Sequence, residues 1–232
     1  MTGLDASREF WDEKARENPY WYVSSAGPYA GRDMADFWAS GPRIWSDLKR
    51  ITGYEPSRES VIVEIGCGVG RLTCALAREA GHVHAFDLSA EMLKVAATSV
   101  IESNVTFHLV DSPDLPQLPG GCADAFVAYC VFQHLPGNEI LRRYLNTAAR
   151  VLKPGGLLVF TLTPQGWRDR LAVALRARRW LVELSSADGP RGLYKREWYG
   201  IRPSKREIEQ LCPIAIRQTS LHGDKWLFHG LR

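Results

Sequence analysis

The chain has 232 residues, 45% hydrophobic and 24% charged, enough to bury one good core in a single soluble domain with small additions. Its net charge of +3 is too small to argue for nucleic acid by itself, and no apolar run approaches the roughly 18 residues of a membrane span. The five cysteines, at 67, 74, 122, 130 and 212, form no C-x-x-C pair. They argue against a zinc site and, with a polar N-terminus that has no signal-peptide core, for a reducing, cytoplasmic setting.

Residues 1–55 are expected to form an N-terminal helical cap. Ser7 to Arg16 has the pattern of a short amphipathic helix carrying Phe10 and Trp11. Asn18-Pro19 is expected to break it, and Tyr20-Trp21-Tyr22 adds aromatic bulk. Met34 to Arg50 reads as one or two helices interrupted at Ser40-Gly41-Pro42. The aromatics either cover one end of a sheet or form a lid over a ligand pocket.

From position 61 strands and helices alternate. Val61 to Ile65 is a short β-branched run of the buried parallel kind. Gly66, Gly68 and Gly70 follow at alternating positions, with no side chain to keep a ligand from the backbone. Arg71 to Arg78 then has helical spacing. Val83–Asp87 is the second strand, and Ser89 caps a helix running to Val100. Val105–Val110 is the third strand, Cys122–Tyr129 the fourth, and Asn138–Leu152 a long helix before the fifth strand, Leu157–Thr163. Such alternation predicts right-handed βαβ units, hence a doubly wound, Rossmann-like α/β domain over residues 56–232 with helices on both faces. A basic insertion at about 164–203, with a helix over Leu171–Leu184, breaks the rhythm. Ser204 and Glu207 have the spacing of a capping box. Ile214–Ser220 and Lys225–His229 are close enough to close the chain as an antiparallel pair.

Open α/β sheets bind ligands at their carboxyl edge, and each parallel strand here ends in a suitable group. The glycine pattern is G-x-G-x-G, and Arg71 stands where a dinucleotide fingerprint needs Gly or Ala, which argues against NAD and FAD. Glu64, just before the glycines, suits a ligand ammonium. Asp87, about 20 residues past the loop, suits the two hydroxyls of a ribose. Asp111 with Ser112 suits an exocyclic base amine. Both aspartates could instead cap the turn or helix that follows. Cys67 reads as a small filler among the glycines. Together these residues point to a ligand with an adenosine and a positive end.

The stretches Val63–Thr73, Ala123–Leu135 and Ala149–Phe160, with Asp87 and Asp111-Ser112 between them, resemble in order and spacing the motifs of class I S-adenosylmethionine-dependent methyltransferases of the small-molecule type. The resemblance covers about residue 36 to the C-terminus and implies seven strands, the last antiparallel. It implies S-adenosylmethionine as cofactor, held by Glu64, Gly66, Cys67, Gly68 and Gly70, by Asp87, Leu88 and Met92, and by Asp111, Ser112, Cys130 and Val131. Ser40 and Gly41, within Phe37–Gly41, resemble a segment that approaches the methionine end. Methyl transfer from a sulfonium is an in-line displacement, so positioning supplies most of the catalysis. His134 is the one histidine placed to act as general base; packing under the loop or bonding to backbone is the preferred reading. The arginines of the insertion suggest an anionic small-molecule acceptor, and a solvated helix face explains them equally well. The rivals are a nucleic-acid methyltransferase, opposed by Tyr129–His134 where an N/D-P-P-Y/F signature belongs, and a catalytically silent cofactor-binding protein. A monomer or a homodimer fits the sequence.

Overall fold

The computed structural model describes residues 3–25, 27–162, 190, 195–221 and 225–232. Its N-terminal helices differ from expectation in two places. After α1 (Gly3–Glu17) the chain restarts as a helix, α2 (Pro19–Val23), where a break was expected. Asn18 caps it, its side chain accepting from Trp21 N at 3.1 Å. Pro19 takes the first helical turn, where its missing N–H removes no bond. Next, α3 (Met34–Thr52) is one continuous helix through Ser40-Gly41-Pro42. Asp33 caps its start and Gly53, at φ +71°, ends it. Pro42 removes one helical hydrogen bond, but packing holds the helix together: a Cβ on Gly41 would lie 2.1 Å from the carbonyl oxygen of Arg71, so α3 runs directly against the next helix.

The remaining elements form the predicted sheet. In chain order they are β1 (Val61–Ile65), α4 (Arg71–Glu79), β2 (His82–Asp87), α5 (Ala90–Ser99), β3 (Val105–Leu109), β4 (Ala123–Ala128), a 3-10 turn at Phe132–His134, α6 (Asn138–Val151), β5 (Leu152–Leu162), α7 (Arg196–Tyr199), α8 (Lys205–Leu211), β6 (Arg217–Leu221) and β7 (Lys225–Leu231). The strands lie in the order β3-β2-β1-β4-β5-β7-β6. Strands β1 to β5 are mutually parallel, and β7 runs antiparallel to both β5 and β6. Strand β5 begins at Leu152, earlier than expected. A register shift between Ala123 and Ala125 absorbs Pro154-Gly155-Gly156. Ser204 and Glu207 form the capping box of α8. The helix expected over 171–184 lies outside the described residues.

Apolar residues cover both faces of the sheet, as parallel strands require. Trp45 and Leu48 of α3 and Leu72, Ala75 and Leu76 of α4 pack on Ile62, Val83 and Val127. Leu141, Tyr144, Leu145 and Ala148 of α6 pack with Ile208 of α8 on Val63, Phe126 and Phe160. A third cluster gathers Trp21, Tyr22 and Phe37 with Met92 of α5 at the carboxyl edge. Among the described residues no helix is long and apolar enough to cross a membrane.

Candidate active site

At the end of β1 the chain makes a glycine turn. Gly66, Gly68 and Gly70 have φ of +70°, +54° and +88°, conformations that a side chain strains. Space is short as well: a Cβ on Gly66 would lie 2.2 Å from the Val131 side chain, and one on Gly68 2.7 Å from Val23. The loop is fixed to the next strand, Gly66 N and Cys67 N donating to Phe86 O at 2.7 and 3.0 Å. Asp87 completes the fastening by accepting from Gly68 N at 2.8 Å and from Ser89 N at 2.9 Å. Burial raises its carboxyl to about 6, while the bonds from backbone N–H groups pull the other way. Glu64 is only 2% exposed and accepts from Thr73 Oγ1 at 2.6 Å. Burial, joined by the charge of Asp87, lifts it to about 7.

The end of β4 is strained in its own way. Cys130 adopts φ +62°, rare for a residue with a Cβ, and its N–H donates to Thr161 Oγ1 at 2.7 Å. The 3-10 turn that follows ends at His134, whose Nδ1 lies 2.6 Å from Trp198 O. A carbonyl only accepts, so Nδ1 carries the proton and Nε2 is left with its lone pair, 3.4 Å from the Gln133 amide nitrogen. The ring also packs edge-on against Trp11, centroids 5.1 Å apart.

A cavity of about 1240 Å³ opens between the glycine loop, the end of β4 and the N-terminal helices. Ser40, Glu64, Gly66, Cys67 and Gly68 line it. So do Asp87, Leu88 and Met92 from the β2 side and Cys130, Val131 and His134 from the β4 side. Four expected residues stand apart from its lining. Gly41 and Gly70 pack instead, Gly41 on the Arg71 backbone and Gly70 against Val100. The Asp111 side chain is 87% exposed and lies 3.6 Å from Arg8 Nη2. Ser112 accepts from Arg143 at 3.0 Å.

The structure adds residues that the motifs did not single out. Trp11, Trp21, Tyr22 and Trp198 also line the cavity. The rings of Trp21 and Trp198 stack at 13° with centroids 6.1 Å apart. Arg32 and Arg71 line the cavity too. Arg71 was legible only as a departure from the dinucleotide fingerprint, and the density of aromatics in 10–38 was the one trace of the wall.

An open, doubly wound sheet with a glycine turn at its carboxyl edge, an acid closing the second strand and an antiparallel β7 beside β5 is a Rossmann-like α/β fold of the methyltransferase kind. Residues 63–160, which carry the loop, both buried carboxylates and most of β4 to β5, match the family model described as Methyltransferase domain. The ubiquinone biosynthesis O-methyltransferase of Hydrogenovibrio crunogenus is 26% identical over 134 residues, 57% of this chain and 54% of that protein. The protein of the same name from Xylella fastidiosa is 33% identical over 113 residues, 48% of this chain and 45% of that protein. The chain thus spans about half the length of the curated relatives it matches. In fold it is similar to a solved structure described as the DhpI-SAM-HEP complex, with a TM-score of 0.64 at 19% identity over 100% of this chain and 99% of that one.

Proposed function

We propose that the protein is an S-adenosylmethionine-dependent methyltransferase acting on a hydroxyl oxygen of a small molecule. One observation carries this reading: a single cavity is lined by the glycine loop, Glu64 and Asp87 together with aromatic residues of the N-terminal helices. The residues suit the cofactor. Asp87 spends one lone pair of each oxygen on a backbone N–H and keeps others for ribose hydroxyls. Gly66 and Gly68 both line the cavity, with Val131 and Val23 packed close over them. Glu64 ionises at the approach of an ammonium, which draws a carboxyl raised by burial back to its charged form. When bound, the cofactor supplies a methyl group made electrophilic by its sulfonium.

The chain's own residues do the rest by binding, orientation and exclusion of water. Val23, resting on Gly68, and the tryptophans close the cavity from outside as a lid, which leaves room for a metabolite-sized acceptor. His134 Nε2, its tautomer set by Trp198 O, is placed to take the proton that an acceptor hydroxyl gives up. The hydroxyl assignment draws on the O-methyltransferases named above, which are its relatives. All five thiols are free, and a reducing, cytoplasmic compartment is the setting this reading assigns.

The test is thermal. S-adenosylhomocysteine should raise the melting temperature by mass action and NAD should leave it unchanged; equal shifts with both would refute the cofactor assignment.

A further inference from the structure

Two arginines in this cavity are arranged in a way that neither the fold nor the reading above uses. Arg71 opens α4 with its side chain 8% exposed, and its Nη1 donates to Ser40 Oγ at 2.8 Å. Arg32, in the loop before α3, is held by the Ser24 carbonyl and donates to Ser24 Oγ at 3.2 Å. Both guanidiniums rest on one ring, that of Phe37, at 5.3 and 4.9 Å from its centroid. They are therefore no more than about 10 Å apart. Among the described residues neither has a carboxylate within ion-pair distance; the nearby Asp36 is taken by Arg43 at 2.7 Å. Each also keeps a buried Nε–H with no hydrogen-bond partner.

A buried guanidinium with a second, partly buried one on the same ring is costly unless something negative joins them. The charge of Arg32 and burial itself both make the Arg71 cation less favourable. Their supports come from two separate segments. Ser24 holds Arg32, Ser40 holds Arg71, and Gly41 lets α3 come close enough to seat the Arg71 backbone. Arginine so fixed presents N–H groups in a geometry that matches an oxyanion, with little entropy left to lose.

We infer that Arg32 and Arg71, propped on Phe37, form a paired-guanidinium subsite for an oxyanion of the carboxylate or phosphate class. The inference rests on the reading of the cavity as a cofactor and acceptor site. That chemistry has two sources there, the carboxylate at the amino-acid end of the cofactor and an acid group on the acceptor.

Calorimetry on the full chain separates them. The ligands are S-adenosylhomocysteine, 5′-methylthioadenosine, which lacks the amino-acid end, and inorganic phosphate added to protein saturated with 5′-methylthioadenosine. The variants are Arg71→Gln and Arg32→Gln; the second carries the test if the first does not fold, because Arg32 is only partly buried. A tenfold or greater loss of S-adenosylhomocysteine affinity, with 5′-methylthioadenosine binding held within twofold, assigns the subsite to the cofactor carboxylate. Unchanged S-adenosylhomocysteine affinity with loss of phosphate binding assigns it to the acceptor. Unchanged binding of all three, or an equal loss for both nucleosides, overturns the inference. Failure of the unsubstituted protein to bind either nucleoside is a separate result and refutes the cofactor reading instead.

Discussion

Replacing Glu64 by Gln removes the charge of this side chain while keeping an oxygen to accept from Thr73. The carboxyl stands at about 7 in the folded protein against an ordinary 4.5, raised chiefly by burial. A group raised in this way lends stability in full below its unfolded value and loses it as the pH climbs through the folded one. At 1.36 kcal/mol per unit, the charged form costs roughly 3 kcal/mol at pH 8 and about 1 kcal/mol at pH 5. Glu64→Gln escapes that penalty, so its stability relative to the parent should improve by roughly 2 kcal/mol between the two pH values. For a chain of this size that is a change of about 4–8 °C in the melting-temperature difference. Asp87 is raised as well, to about 6, chiefly by its own burial, and is present in both proteins. The assay is thermal denaturation of both proteins without ligand at pH 5 and pH 8. A melting-temperature difference that is the same at both would refute the argument that a buried carboxylate is held here in readiness for a cation.

Other consequences follow from the same geometry. Asp87→Asn should weaken S-adenosylhomocysteine binding at least tenfold, whereas Asp111→Ala, exposed and outside the cavity lining, should leave it within about threefold by calorimetry. Gly41→Ala drives a methyl into the Arg71 carbonyl and should lower stability by roughly 2 kcal/mol, seen as a fall of about 4–8 °C in melting temperature; an unchanged value would mean that α3 and α4 separate freely. His134→Gln should lower kcat by about a hundredfold or more with S-adenosylhomocysteine affinity kept, if the histidine serves as the proposed base toward the acceptor. Loss of stability alone, with turnover intact, would return His134 to a packing role between Trp11 and Trp198.

The sheet was legible because its strands carry their own punctuation. Val61–Ile65 is apolar on both faces, and glycines, aspartates or a Pro-Gly-Gly turn mark where strands meet loops. The same local logic found Glu64 and Asp87, which sit within a few residues of those marks. It failed where the deciding partner is distant in sequence. Pro42 reads as a breaker, but the surface of α4 that keeps α3 whole begins at Arg71. Asp111 occupies a strand-end position like that of Asp87, yet no glycine loop faces it and its side chain turns to Arg8. Arg32 and Phe37 carry no motif at all; they are neighbours of Arg71 only because the N-terminal helices fold back over the carboxyl edge.

That folding back bears on how the chain reaches its native state. The aromatic face of α1 and α2 is synthesised well before Trp198, which stacks on Trp21 and touches Trp11. Until then Trp11, Trp21 and Tyr22 have no complete surface to cover them, and contacts of such long sequence separation form slowly. Closure of the wall is thus expected late on the folding path, with its apolar rings exposed to other chains until then. Substitutions at Trp198 should therefore register in refolding yield at high protein concentration before they register in the stability of the sheet.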